Sequence, residues 1–275
     1  MFKKFALAST ALTLLAGAAS AADLPRRAVA PMIPVAPVFT WAGFYIGDHT
    51  GVIFNETRVR TRGNAANTIA NVAANRRPAS IRLEDDFSFS TGIQAGYNFQ
   101  FGNFVFGPEA DIAYTRGVKD REIFVSTLGD VSVFRQEMDF FGTIRGRLGF
   151  TAFNNVLLYG TGGLAYAGLE HRVGFLRNTD QAFQFIGKKD EVAVGYAVGG
   201  GIEFQLPAQL SFLNFVGPII GARQVSVKAE YLYYDLGRSS VLVDAVPGVG
   251  MNSYTSRFDT TGHLGKIGLN YRFGT

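Results

Sequence analysis

Lys266-Ile267-Gly268-Leu269-Asn270-Tyr271-Arg272-Phe273 is two lists interleaved. Ile267, Leu269, Tyr271 and Phe273 are apolar, whereas Lys266, Gly268, Asn270 and Arg272 are polar or tiny. Successive residues of a strand point to opposite faces, so this segment has one apolar and one wet face. The same alternation recurs along the chain, and the chain starts with what reads as an export signal. Together these predict a barrel whose apolar face meets lipid.

At the start, Lys3 and Lys4 precede an uncharged run over 5–19, and Ala19-Ser20-Ala21 has the small-x-small form of a cleavage site. Residues 1–21 therefore read as a secretory signal peptide, too short in its apolar run for a membrane-spanning helix. The chain has no cysteine, which removes disulfides, thiolate metal sites and lipid acylation of a cysteine. No later segment holds 18 consecutive apolar residues, so a membrane-embedded chain would have to be a closed barrel. Residues 22–40 carry Pro25, Pro31, Pro34 and Pro37 and read as an extended periplasmic linker that offers contact with the cell wall. Residues 41–275 form the barrel domain.

Composition agrees. Charged residues make up 17% of the chain, below the roughly 25% of soluble domains, which suits a surface partly solvated by lipid. The net charge of +4 includes the two leader lysines. What remains is too small to argue for nucleic acid.

Alternating segments fall at about 44–54, 88–99, 103–114, 139–150, 156–169, 192–205, 224–235 and 262–273. Most match the ~9–11 residues of a tilted membrane strand, and an even count is what bacterial barrels require. The links 100–102 and 151–155 are hairpin-sized; 55–87, 115–138, 170–191 and 236–261 are long. Short periplasmic turns alternating with long outside loops are the barrel pattern. The expected fold is all-β: an eight-stranded antiparallel transmembrane β-barrel with short periplasmic turns and long extracellular loops. The link 206–223 is the exception, long on the short side and rich in apolar residues; it reads either as an interfacial segment or as an earlier start of the seventh strand.

Parity places Arg145, Arg147, Lys228, Lys266 and Arg272 inside, with Glu109, Asp111, Glu203 and Glu230. A barrel of eight strands is wide enough to be filled by side chains or to hold one small ligand. These nine charges are read as a salt-bridged plug, with an ion pathway as the functional alternative. Asp48 shares a face with Phe44 and Ile46, which predicts a bulge or slip at Gly47-Asp48 to keep its charge from lipid.

Gly160-Thr161-Gly162-Gly163-Leu164-Ala165 spells a dinucleotide fingerprint, but no helix pattern follows it. His49, His171 and His263 are not at metal-ligand spacing. Each adjoins a long link, so all three are expected near the outer rim, where a histidine could ligate haem iron. No catalytic or metal residues are assigned. The first long link carries Arg58, Arg60, Arg62, Arg76, Arg77 and Arg82, suited to lipopolysaccharide phosphates. Its Asn/Ala-rich middle, 64–75, reads as mobile.

Trp41-Ala42-Gly43-Phe44-Tyr45-Ile46-Gly47 resembles the opening of small outer-membrane β-barrels of alphaproteobacteria. So do the blocks Gly92–Asn98, Gly102–Gly107 with Glu109-Ala110-Asp111, Arg145–Gly149, Tyr159–Tyr166 and Lys228–Gly237. The ending resembles the signal read by the barrel-assembly machinery, in which Gly268, Tyr271 and Phe273 are the matching positions. Two features depart from that pattern: Asp48-His49-Thr50 in place of a glycine-rich continuation, and Gly274-Thr275 after the terminal aromatic. The resemblance implies a Gram-negative outer-membrane location. The family includes surface antigens, haem-binding proteins and porin-like barrels. The expected function is a mainly structural, surface-loop role without enzymatic activity; the alternatives are a narrow porin-like pore or a haem-binding surface receptor.

Overall fold

The computed structural model describes residues 40–273 apart from 85–86, 117–118, 154 and 208–216. The leader (1–21), all but Thr40 of the proline-rich segment, and the middle of the 206–223 link lie outside the described residues.

The described residues form ten strands: β1 (Gly43–Gly63), β2 (Ser80–Glu84), β3 (Ser88–Phe101), β4 (Phe104–Arg116), β5 (Lys119–Val125), β6 (Val131–Phe153), β7 (Val156–Leu176), β8 (Phe183–Gln205), β9 (Gln224–Ala245) and β10 (Ser253–Phe273). Two helices accompany them, α1 (Ala66–Ala73) and α2 (Gly217–Ile220). Every pairing is antiparallel, and the circuit β1–β3–β4–β6–β7–β8–β9–β10 returns to β1. Eight strands thus close a ring, and closure leaves it no free edge. The other two pair above it, β2 with β1 and β5 with β6.

Strand ends on the short-turn side fall close to where the alternation places them. On the other side most strands run much further. The stretches read as long loops are largely strand: β1 continues from Phe54 to Gly63, β6 begins at Val131, and β9 runs to Ala245. The segment read as mobile holds α1 instead, where Thr68 both donates to the Ala65 carbonyl and accepts from the Ala65 N–H.

The cause of the underestimate lies in the outward face. Along β1 it reads Phe44, Ile46, Asp48, Thr50, Val52, Phe54 and then Glu56, Arg58, Arg60, Arg62, with no break in alternation. The same change occurs on β7, from Leu158 and Leu164 to Glu170 and Arg172, and on β8, from Val198, Val194 and Val192 to Asp190 and Lys188. The interior changes in the opposite sense. Below, it is charged. Above, Val59, Leu83, Phe134, Val173, Phe175, Phe185, Val241, Val243, Tyr254 and Phe258 form a buried apolar cluster. The same strands therefore carry an apolar belt around a polar lumen at one end, and a charged collar around an apolar core at the other.

Of the register shifts in the sheet, two exchange faces along a strand. On β6 the register shifts between Met138 and Phe140. On β9 two residues, Leu236 and Gly237, lie opposite the β10 shift between Asp259 and Thr261, with Gly237 at φ +72°. A non-glycine residue resists that conformation. Each bulge exchanges the faces of the residues beyond it. No bulge occurs at Gly47-Asp48, contrary to expectation: Asp48 pairs in register with Leu269 and Ile93 and faces outward.

Candidate functional site

Lumenal charge arises from alternation. Glu109 and Asp111 on β4, Arg145 and Arg147 on β6, Glu203 on β8, Lys228 and Glu230 on β9, and Lys266 and Arg272 on β10 all project inward. Register then pairs opposite signs directly: Glu109 faces Arg145, Glu203 faces Lys228, and Lys266 faces Glu230.

These nine residues form one connected network. Arg145 Nη2 lies 2.8 Å from Glu109, 2.9 Å from Asp111 and 3.0 Å from Glu230. Lys266 Nζ bridges Asp111 at 3.1 Å and Glu230 at 3.0 Å, and Lys228 Nζ reaches Glu109 at 2.9 Å. Arg147 links Glu203 at 2.7 Å to Glu109 at 3.3 Å, and Arg272 meets Glu203 at 3.1 Å. None of the nine is more than 4% exposed. Charges taken this far from water need both ion pairs and further hydrogen bonds to persist.

Those further bonds come from residues that alternation alone does not single out. Tyr45 donates to Glu109 at 2.8 Å and Tyr159 to Glu230 at 2.8 Å. Thr143 donates to Asp111, and Ser226 and Asn270 to Glu203. The Arg147 guanidinium lies 4.1 Å from the Tyr159 ring centre, and that of Arg272 lies 4.7 Å from Trp41. Trp41, 1% exposed, accepts the Arg272 cation on its face while its backbone N–H donates to Gln100. Their type gave no signal, since an aromatic at alternating spacing suits lipid as well as lumen.

Above the network, Ile53, Met138, Phe141, Leu169, Leu232, Tyr234 and Leu264 fill the lumen with apolar side chains. A polar layer follows, in which Gln136 joins Thr57 and Thr260. Above it lies the upper apolar cluster. Arg77 closes the far end: its guanidinium donates to the carbonyls of Val131 and Leu176 and lies 5.0 Å from the Phe175 ring centre. Beside it Arg76 pairs with Asp130 at 2.8 Å.

The histidines are not gathered at an outer rim. His49 and His171 are buried inside, 2% and 0% exposed, at different heights. His263 faces outward and shares a hydrogen bond with Tyr231. The glycine-rich stretch 160–163 lies within β7, which continues as strand to Leu176. Gly268 pairs with His49, Tyr271 with Ile46 and Phe273 with Phe44, so the three positions matching an assembly signal lie along the closing seam. Among the described residues no group of His, Cys, Asp and Glu is arranged to hold a metal.

Comparison with known proteins finds a matching family and similar chains. Residues 8–273 match the model of the outer membrane protein β-barrel domain. The 31 kDa outer-membrane immunogenic protein of Brucella melitensis is 28% identical over 98% of this chain and 100% of its own length. The 25 kDa outer-membrane immunogenic protein of the same organism is 27% identical over 98% of each chain. The 22 kDa outer membrane protein of Rhizobium leguminosarum bv. viciae is 28% identical over 62% of this chain and 59% of its own. Among solved structures, the outer membrane protein OprG from Pseudomonas aeruginosa aligns with a TM-score of 0.49 and 13% identity, covering 85% of this chain and 97% of that one.

Proposed function

The chain belongs to the outer membrane protein β-barrel domain family, and from that premise we propose that it is a plugged, eight-stranded transmembrane barrel whose role is structural and whose charged collar is displayed at the cell surface. Outer-membrane residence follows from the family. In this reading the apolar belt spans the lipid, the short turns, the start of β1 and the end of β10 face the periplasm, and the collar stands clear of the bilayer.

The observation that carries it is the buried ion-pair network. An eight-stranded lumen has room only for its own side chains or one small ligand, and here the side chains meet each other across it. Apolar layers lie above and Arg77 covers the far end. The alternative porin-like pore would require water along this path. The haem-receptor alternative relied on a histidine at the outer rim, and the two inward histidines are sealed inside. Relatives called immunogenic fit a collar exposed to the outside. The barrel-assembly machinery is the proposed partner during insertion, through Gly268, Tyr271 and Phe273; contact of the 22–40 segment with the cell wall remains a separate proposal.

Single-channel recording on the refolded chain tests the plug. The parent is expected to show no steps, and steady salt-dependent steps would overturn the structural reading. The double variant Arg145→Ala/Arg147→Ala removes the network's two guanidinium hubs and should open conductance or lose stability.

A further inference from the structure

Where β1 passes from one neighbour to another, the wall is interrupted. Ile53 pairs with Ser88 of β3, and the next ladder contact on that side is Glu56 with Glu84 of β2. A pocket of about 540 Å³ opens at this junction, lined by both faces of β1: outward Phe54, Glu56 and Arg58, inward Asn55 and Thr57, with Arg82 and Leu83 of β2 and Asp259 and Thr261 of β10. Phe54, 48% exposed, is the last apolar residue of the β1 belt, and Arg58 belongs to the collar. The pocket therefore lies where apolar and charged exteriors meet.

Among the described lining residues, Arg58 and Arg82 stand beside the carboxylates of Glu56 and Asp259. Arg58 and Arg82 are cross-strand partners in register. Like charges placed directly opposite repel, and among the described residues neither has an ion-pair partner. The nearby carboxylate of Asp259 is already taken by Arg60 at 3.1 Å and Arg238 at 3.0 Å. Asn55, 5% exposed, uses its carbonyl oxygen to accept from Tyr234, while its buried amide nitrogen has no hydrogen-bond partner. Among the described lining residues, Glu56 is the acidic group not engaged in this way.

We propose that this junction binds the phosphate head of an anionic membrane amphiphile, with Arg58, Arg82 and the Asn55 amide on the phosphate and an acyl chain along Phe54. Guanidinium forks match phosphate oxygens in pairs, and an anion between Arg58 and Arg82 relieves their repulsion. The apolar side of the pocket favours a lipid over a free phosphate. Of the six arginines in the first link, the geometry selects two: Arg76 and Arg77 are committed to the mouth, Arg60 to Asp259, and Arg62 lies beyond the lining.

The proposal rests on the membrane placement given above, and its test separates the two. Native mass spectrometry would measure binding of bisphosphorylated lipid A, dephosphorylated lipid A and inorganic pyrophosphate to the parent, Arg58→Gln/Arg82→Gln, Asn55→Asp and, as control, Arg62→Gln. Bisphosphorylated lipid A should bind the parent and R62Q alike, and the double variant and N55D roughly tenfold or more weakly. Dephosphorylated lipid should not distinguish the four. Equal binding of the phosphorylated lipid to all four would overturn the site. Pyrophosphate binding as tightly as the lipid would overturn the lipid assignment in favour of a free anion. Because the chain has no cysteine, a single Phe54→Cys label read by depth-dependent quenching in vesicles checks the placement alone. A label in bulk water would overturn the membrane boundary whatever the arginines do.

Discussion

Glu109 and Arg145 are register partners on adjacent strands and an ion pair at 2.8 Å, both sealed from solvent. The same Arg145 Nη2 also serves Asp111 and Glu230, so one guanidinium holds three carboxylates. Replacing it with methionine keeps most of the volume and leaves those carboxylates short of a cation. Breaking one side of a buried ion pair costs about 3–5 kcal/mol. Arg145→Met should lose that much stability in urea titrations of the protein refolded in lipid vesicles. Glu109→Gln in the same chain should cost less than the two single losses added, because the network is shared. Strict additivity would show that the charges act independently.

The two-zone wall makes opposite substitutions diagnostic. Ile144 lies on the apolar belt, 57% exposed. A lysine on the lipid face costs about 2–4 kcal/mol near the midplane and little near the interface, so Ile144→Lys should destabilise the barrel in vesicles by an amount in that range. The same lysine at Arg60, on the collar, should be nearly silent. Inside the collar, Phe258 is fully buried in the upper cluster, and Phe258→Ala should cost about 3–5 kcal/mol, as for a core aromatic. If Ile144→Lys and Arg60→Lys were equally silent, the belt would not be facing lipid.

The same inversion explains what was legible in the chain. The nine lumenal charges could be read because each alternates with apolar neighbours, and a charge beside lipid is easy to exclude. Strand length could not be read by that signal. At Phe54 the outward face turns from apolar to charged while alternation runs on to Gly63. A search for apolar-out strands stops there, at the edge of the belt and not at the end of the strand. The bulges at Met138–Phe140 and Leu236-Gly237 hid the continuations of β6 and β9 by exchanging faces. Tyr45, Tyr159 and Trp41 were invisible as lumenal residues, because an aromatic suits either face until register is known. Asp48 shows the converse, where a rule against charge in lipid predicted a bulge that the backbone does not make.

His171 gives the collar a pH dependence. It is buried among Phe258, whose ring centre lies 4.4 Å away, Glu191, whose carboxylate is 3.7 Å from Nε2, and the Lys189–Glu191 pair. Burial pushes its imidazole down to about 4, outweighing the opposite pull of Glu191. An unfolded histidine titrates near 6.5. Between these values the unfolded chain holds the extra proton, so stability is intact above about pH 6.5, falls as pH drops towards 4, and levels off below. His171→Phe retains the ring against Phe258 and should flatten this slope in urea midpoints measured from pH 7.5 to 4. An unchanged slope would place the titration elsewhere.

Arg77 carries the last prediction. It is 3% exposed, yet it comes from the stretch between α1 and β2 and lies over the end of the apolar core. Its two terminal nitrogens donate to different strands, Nη1 to the Val131 carbonyl at 2.8 Å and Nη2 to the Leu176 carbonyl at 3.0 Å. It thereby ties β6 to β7 where both strands end. Lysine presents a single ammonium on a flexible stem and lacks the fixed fork needed to hold both carbonyls at once. Arg77→Ala should free α1 and the mouth, seen as faster hydrogen exchange over 64–79 and earlier protease cleavage there, while the ring strands stay protected. Arg77→Lys should recover little of that protection. Full recovery by lysine would mean that charge alone, and not the fork between two strands, holds the mouth closed.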